Sequence, residues 1–219
     1  IIAYEPGFAA DVHAIYRWAL GQLWDEHGEA VYLRLSTQPL PQPASLPQDH
    51  QQQAIDGGYW LVGEDQRAAR AGQPSVVLVA SGRSLQRARL GAARLHLEDG
   101  IGSKILNVTS YERLWRQWDA WNNDPTAWRD DNQTYRLHEL FEDTDVNAPL
   151  VLIGDHCASV CEWLPGAVQR LGSYRVLVPR KNSEAGDLDD IDRMHGCHED
   201  DVVAAVRAEV KWRRAQQLI

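Results

Sequence analysis

The sequence predicts an α/β fold, and three observations carry that prediction. From Ser75 onward, short apolar strands alternate with amphipathic helices, the pattern of parallel crossovers with helices on both faces of a sheet. Upstream, the stretch Val31–Pro43, VYLRLSTQPLPQP, runs an apolar strand straight into a proline-rich connector. A strand buried on both faces needs parallel neighbours, yet only one helical segment precedes this one. The chain therefore reads as the end of one α/β domain over residues 1–38, a linker over 39–74, and a complete three-layer α/β domain over 75–219.

Each element has its own signal. Phe8, Val12, Ile15, Ala19 and Leu23 recur at helical spacing, which predicts a helix over Phe8–Glu26 with His27-Gly28 as its stop. Val31–Leu35 is a strand. Pro39, Pro41, Pro43 and Pro47 forbid regular ladder or helix bonding, so this part of the linker is extended. Gln51–Gly63 carries a short apolar turn. In the second domain Ser75–Ala80, Lys104–Val108, Leu150–Ile153 and Tyr174–Val178 read as strands. Ser84–Asp99, Ser110–Asn122, Val160–Leu171 and Asp200–Gln217 read as helices, and Thr134–Phe141 as a short one inside a long polar connection.

Composition excludes several function classes. A net charge of -9 argues against a general nucleic-acid surface, which needs clustered Lys and Arg. No apolar run approaches the ~20 residues of a membrane helix. The start, IIAYEPGFAADV, lacks the basic region and apolar core of a signal peptide and an initiator Met, which reads as a fragment or processed product. Three cysteines make an odd set without a dense framework, which fits reduced thiols in the cytoplasm.

Four constellations could carry chemistry. Ser81-Gly82-Arg83-Ser84 follows a strand and opens a helix, where free amides can meet an anion. A single glycine and no following Walker lysine leave it as a tight turn with Ser84 as N-cap. His156, Cys157, Cys161, His195, Cys197 and His198 are zinc-suited residue types. They lack CxxC spacing, so the reading is structural thiols and no metal site. Trp115, Trp118, Trp121 and Trp128 include three residues spaced by three on one helical stripe. That stripe either packs on the sheet or forms a subunit interface, where aromatics are enriched. The acidic runs Asp187–Asp192 and Glu199–Asp201 match no EF-hand and read as a solvated face. No Ser-His-Asp or Cys-His arrangement can be assigned from spacing, so the catalytic residues are unknown.

The strand exit and the opening of the second domain resemble a known family. VYLRLSTQPLPQP resembles the last strand of the pyrimidine-binding domain in the transketolase superfamily. PSVVLVASGRSLQRARLGAARLHLEDGIGSKILNVTSYERL resembles the start of its C-terminal domain, in which strand, Ser-Gly, helix and a strand ending in Val-Thr-Ser follow one another. Asn107-Val108-Thr109-Ser110 and Leu114 fit that order. The chain as a whole is similar to the C-terminal third of the homodimeric, thiamine-diphosphate-dependent 2-oxo acid (pyruvate) dehydrogenase first component.

The resemblance implies a three-layer transketolase C-terminal-type domain with a mostly parallel sheet. It implies thiamine diphosphate and Mg²⁺ in the full-length enzyme, none bound by this portion, and an inactive fragment that serves dimer assembly. It also implies a homodimer and a lipoyl acyltransferase partner. Ser36, Thr37 and Gln38 then border the active site. Transketolases acting on sugar phosphates carry Ser-Arg-Gln at this exit, where the arginine would pair with a phosphate. Thr37 cannot supply that charge, which points to an unphosphorylated 2-oxo acid. The bacterial pyruvate-specific enzymes instead carry a histidine-bearing Asn-Glu-Asn-Tyr-His insertion here, which this chain lacks. The alternatives are a transketolase-type ketol transferase and a non-catalytic assembly or regulatory module of the same fold.

Overall fold

A computed structural model describes residues 1–127, 134–145, 147–168, 174–180 and 185–216. The chain opens with β1 (Ile2–Tyr4), α1 (Ala9–Gly21) and β2 (Val31–Leu33). β1 and β2 pair in parallel, with Ile2 opposite Val31 and Tyr4 opposite Leu33. The strand expected to follow a lone helix thus has a neighbour of its own. β1 is too short for its period to register in sequence, but Tyr4 and Ile15 are fully buried between strand and helix. Trp18 packs edge-on against Tyr4 at 5.9 Å.

The segment read as a linker also contributes structure. Its prolines do keep Pro39–Pro47 irregular, but α2 (His50–Ile55) and β3 (Gly58–Trp60) follow. β3 is an edge strand of the main sheet, antiparallel to the strand that ends in Asn107-Val108. Gly57, at φ +114°, makes the entry turn, and a Cβ there would lie 2.9 Å from Leu114 Cγ.

The main sheet has the order β3-β5-β4-β6-β7. Its other strands are β4 (Ser75–Ala80), β5 (Gly102–Val108), β6 (Leu150–Ile153) and β7 (Tyr174–Leu177), all mutually parallel. The helices are α3 (Ser84–Asp99), α4 (Tyr111–Asn122), α5 (Arg136–Phe141), α6 (Leu164–Ala167), α7 (Leu188–His195) and α8 (Glu199–Ala215). Strand alternation divides the core in two. Val76, Leu78, Ala80 and Ile105 pack with Ala88, Leu95, Val203 and Val206 of α3 and α8. Val77, Val79, Leu106 and Val108 pack with Leu114, Leu137 and Phe141 of α4 and α5. The result is the expected three-layer, mostly parallel α/β architecture.

Three local readings change. In its described part, the helix expected over Val160–Leu171 is a 3-10 turn at Ala158–Val160 followed by the short α6, because Pro165 has no N–H to bond back to the preceding turn and so starts a new helix; residues 169–171 lie outside the described residues. Arg83, not Ser84, is the N-cap of α3, and Ser84 is its first helical residue. The acidic run Asp187–Asp192 is a solvated face only in part: Asp187, Asp189 and Asp190 are exposed, but the run builds α7, whose Asp192 is only 3 % exposed. Arg83 and Arg87 of α3 donate to both Asp192 oxygens at 2.5–3.0 Å. Those arginines lie about a hundred residues away in sequence, where charge-run reasoning does not look.

The Asn107–Ser110 run fastens the two sheets together. Asn107 Nδ2 donates to Asp11 Oδ2 (3.0 Å), the Thr109 hydroxyl to the Ala54 carbonyl (2.6 Å) and the Ser110 hydroxyl to the Ala3 carbonyl (2.6 Å). The Glu5 amide donates to the Thr109 carbonyl at 2.7 Å.

Candidate functional site

The carboxyl ends of four strands from both sheets meet at one place. β1 ends into Glu5, β2 into Arg34–Thr37, β4 into Ser81-Gly82-Arg83, and β6 into Gly154-Asp155. Of these residues, Glu5, those at 34–37, Gly82, Arg83 and Asp155 line a cleft of about 200 Å³, together with Leu188 of α7. Its position follows from topology. From β4 the chain crosses to β5 on one side and later returns as β6 on the other. The connections therefore diverge between β4 and β6, which leaves a crevice outside the strand ends at the site where open α/β sheets place ligands.

The cleft is strongly charged and closely paired. Arg34 Nη1 donates to Asp155 Oδ1 at 2.7 Å and to Glu5 Oε1 at 3.3 Å, and its Nη2 reaches the Asp155 carbonyl at 3.2 Å. Arg83 Nε donates to Asp155 Oδ2 at 3.0 Å. The Ser81 hydroxyl donates to Glu5 Oε2 at 2.8 Å, and the Gly82 amide to the Glu5 carbonyl at 2.9 Å. Gly82, at φ +50°, makes the turn that brings this amide round. The carboxylates around Arg83 hold its guanidinium above its ordinary pKa in spite of burial, which acts the other way. Both arginines are therefore permanent cations, and Asp155 is gripped between them.

Ser36 and Thr37 line this cleft, whereas Gln38 is exposed and donates its amide to Ser36 Oγ at 3.1 Å. Sequence reasoning missed Glu5, Arg34, Arg83 and Asp155. One available signal was a cation at Arg34 inside an otherwise apolar strand. Ser81-Gly82-Arg83-Ser84 was noticed as a turn, but its arginine was not.

The tryptophans of α4 diverge. Trp118 stacks on Trp163 at 5.6 Å, and Trp121 packs on Tyr135 at 4.9 Å. Both are half-buried against the core of their own chain, whereas Trp115 is 41 % exposed. It borders a second, more apolar cleft of about 380 Å³ with Tyr111, Val160 and Trp163. Trp128 lies outside the described residues. Cys157 is exposed, with Sγ 3.1 Å from Ser159 Oγ. Cys161 and Cys197 are buried, and desolvation pushes each thiol up to about 12. Among the described residues, no group of three His, Cys, Asp or Glu side chains is placed to hold a metal ion. No described helix is long and apolar enough to cross a membrane.

The geometry has counterparts among solved structures. Transketolase from Leishmania mexicana superposes with a TM-score of 0.64 and 14 % identity, covering 95 % of this chain and 25 % of that one. A split-gene transketolase, described as an inactive β4 tetramer, superposes with a TM-score of 0.60 and 17 % identity over 96 % of this chain and 58 % of that one. The chain thus shares its fold with these transketolase structures.

In sequence, the chain is 27 % identical over 180 residues to the pyruvate dehydrogenase E1 component of Corynebacterium glutamicum. That alignment covers 78 % of this chain and 18 % of the relative, so the chain spans less than a fifth of the protein it matches. No family model matches the sequence.

Proposed function

We propose that the chain is the C-terminal portion of a thiamine-diphosphate-dependent 2-oxo acid dehydrogenase, a pyruvate-dehydrogenase-like decarboxylating component. The observation that carries this reading is the sequence likeness to a pyruvate dehydrogenase E1 component along a chain of transketolase-type fold. Residues 1–38 would close a pyrimidine-binding domain, residues 39–74 would connect while lending the edge strand β3 to the main sheet, and residues 75–219 would form the rest of the C-terminal domain. Large exposed apolar side chains concentrate in the first unit, at Tyr16, Leu20, Leu23, Trp24, Tyr32 and Leu35, which supports a covering by further protein.

Thiamine diphosphate and Mg²⁺ would be held by other parts of the full-length enzyme. The residues here do not fit them: the cleft of about 200 Å³ is too small for the coenzyme, and its carboxylates are all engaged by arginines or Ser81. No step through the cofactor is drawn from this chain. Its own contribution would be to border the active site with Ser36, Thr37 and Gln38 and to help assemble a cytoplasmic homodimer that hands its acyl group to a lipoyl acyltransferase. Trp115, Trp118, Trp121 and Trp128 would take part in the dimer.

Two measurements test this reading. Titration of the 219-residue chain with thiamine diphosphate and Mg²⁺ should give no heat of binding; clear micromolar binding would overturn the domain assignment. The reading frame upstream of Ile1 should encode Gly-Asp-Gly followed by Asn-Asn, and the joined protein should decarboxylate a 2-oxo acid with an artificial electron acceptor. A ketol transferase is the second reading, favoured by the transketolase likeness of the fold. Turnover of sugar phosphates but not of 2-oxo acids would select it.

A further inference from the structure

We propose that the crevice between β4 and β6 is a binding subsite for a small carboxylate, and that the Asp155 side chain stands where the ligand's carboxylate pairs. Three observations lead there. The crevice lies at the topological switch point of the sheet, where the strand ends and the helix α3 N-terminus turn toward a common space. Two guanidiniums from different parts of the chain, Arg34 and Arg83, converge on one planar carboxylate at 2.7 and 3.0 Å, an arrangement suited to carboxylate geometry. The volume of about 200 Å³ admits a small acid and little more.

The two arginines differ in how firmly they are committed. Arg83 is also held by Asp192 through both of its terminal nitrogens, and its side chain is 18 % exposed. Arg34 is 39 % exposed, and its Nε has no hydrogen-bond partner among the described residues. A partly exposed ion pair such as Arg34–Asp155 costs little to exchange. An incoming carboxylate can therefore take Arg34 while Asp155 keeps Arg83. The other carboxylate facing Arg34, Glu5, is anchored by Ser81, and Thr37 lines the same wall. The charges that line the cleft balance, Arg34 and Arg83 against Glu5 and Asp155, so an added anion binds only where Asp155 yields. This makes Asp155 a built-in competitor, and its removal should tighten binding.

The choice of a 2-oxo acid as one probe rests on the thiamine-enzyme reading; the carboxylate subsite itself does not. The 219-residue chain is titrated with pyruvate, acetate and inorganic phosphate at fixed ionic strength, with amide resonances of Ser36, Thr37 and Gly82 as reporters. Saturable shifts at those amides with either carboxylate are expected, with phosphate at least tenfold weaker. Arg34→Gln should weaken binding at least tenfold. Asp155→Asn, which leaves both arginines in place, should tighten it at least threefold. Absence of saturable shifts overturns the proposal, as does phosphate binding equal to the carboxylates. If Arg34→Gln fails to fold, Asp155→Asn still decides, since unchanged or weaker binding in that variant refutes the competitor role. Failure of the full-length enzyme to decarboxylate would refute the thiamine reading and leave these titrations unaffected.

Discussion

Replacing Asp11 with Ala should destabilise the chain by about 3 kcal/mol, because one buried carboxylate holds the first βαβ unit to the main sheet. Asp11 is fully buried. Its Oδ1 accepts from the Tyr59 hydroxyl at 2.8 Å, and its Oδ2 accepts from Asn107 Nδ2 at 3.0 Å and from the Phe8 amide at 3.2 Å. Truncation strands the Tyr59 and Asn107 donors, at roughly 1–3 kcal/mol each. It also leaves the Phe8 N-cap amide of α1 without its acceptor, worth about 1 kcal/mol. Relief of the desolvated carboxylate offsets part of that sum, which brings the net to about 3 kcal/mol. With an m-value near 2 kcal/mol/M, the urea midpoint should fall by about 1.5 M. A shift below about 0.3 M would refute the reasoning.

The pH dependence supplies a second check on the same group. Burial, the largest cause, raises the Asp11 pKa above its ordinary 3.8, against the hydrogen bonds from Tyr59, Asn107 and Phe8. A raised folded-state pKa means that the group's stabilisation is fully present below the unfolded value and is lost as pH rises through the folded value. The stability of the parent relative to Asp11→Asn, which does not titrate, should therefore decline as pH climbs from below 3.8. A flat or rising difference would show that the hydrogen bonds outweigh burial.

Three further outcomes follow from the packing and the thiols. Asp192→Ala leaves the Arg83 and Arg87 guanidiniums without their shared partner and should cost about 3 kcal/mol in denaturant titration. Gly91→Ala would drive a Cβ to 2.7 Å from Val202 Cγ1 where α3 meets α8, so a loss of about 1–3 kcal/mol is expected. Maleimide labelling of the native chain should modify Cys157 alone, because Cys161 and Cys197 are buried with thiols pushed up to about 12. All three cysteines should react after unfolding.

The regular part of the main sheet was legible because its signals are local. Ser75–Ala80 and Leu150–Ile153 are short apolar runs bounded by turn residues, and Ser84–Asp99 ends at Gly100 in the left-handed region. β1 and β3 escaped because three residues carry no period, and their strand character comes from partners far along the chain. The same limit applied to the cleft. The resemblance singles out Ser36 and Thr37, but the Arg34–Asp155–Arg83–Asp192 chain joins residues from four elements or their ends. Only a topology brings these together: Arg34 and the acidic run that holds Asp192 are visible locally, but nothing in the sequence pairs them with Asp155 and Arg83.

The Asn107–Ser110 run ties the resemblance to the physics. Its side chains line neither of the two clefts described above. They bond Asp11, Ala54 and Ala3, while Arg113 completes the turn by donating its amide to Ser110 Oγ. The motif that drew attention in sequence is thus a fastening between the first βαβ unit and the main sheet. That fastening sets where β2 ends, and the end of β2 carries Arg34 into the crevice beside Arg83. Loosening it should disturb the cleft without altering any cleft residue. Ser110→Ala removes both the Ala3 bond and the α4 cap, and so should weaken carboxylate binding while Cys157 labelling stays unchanged. Undiminished binding in that variant would mean that Arg34–Asp155 and Asp11–Asn107 suffice to hold the two sheets in register.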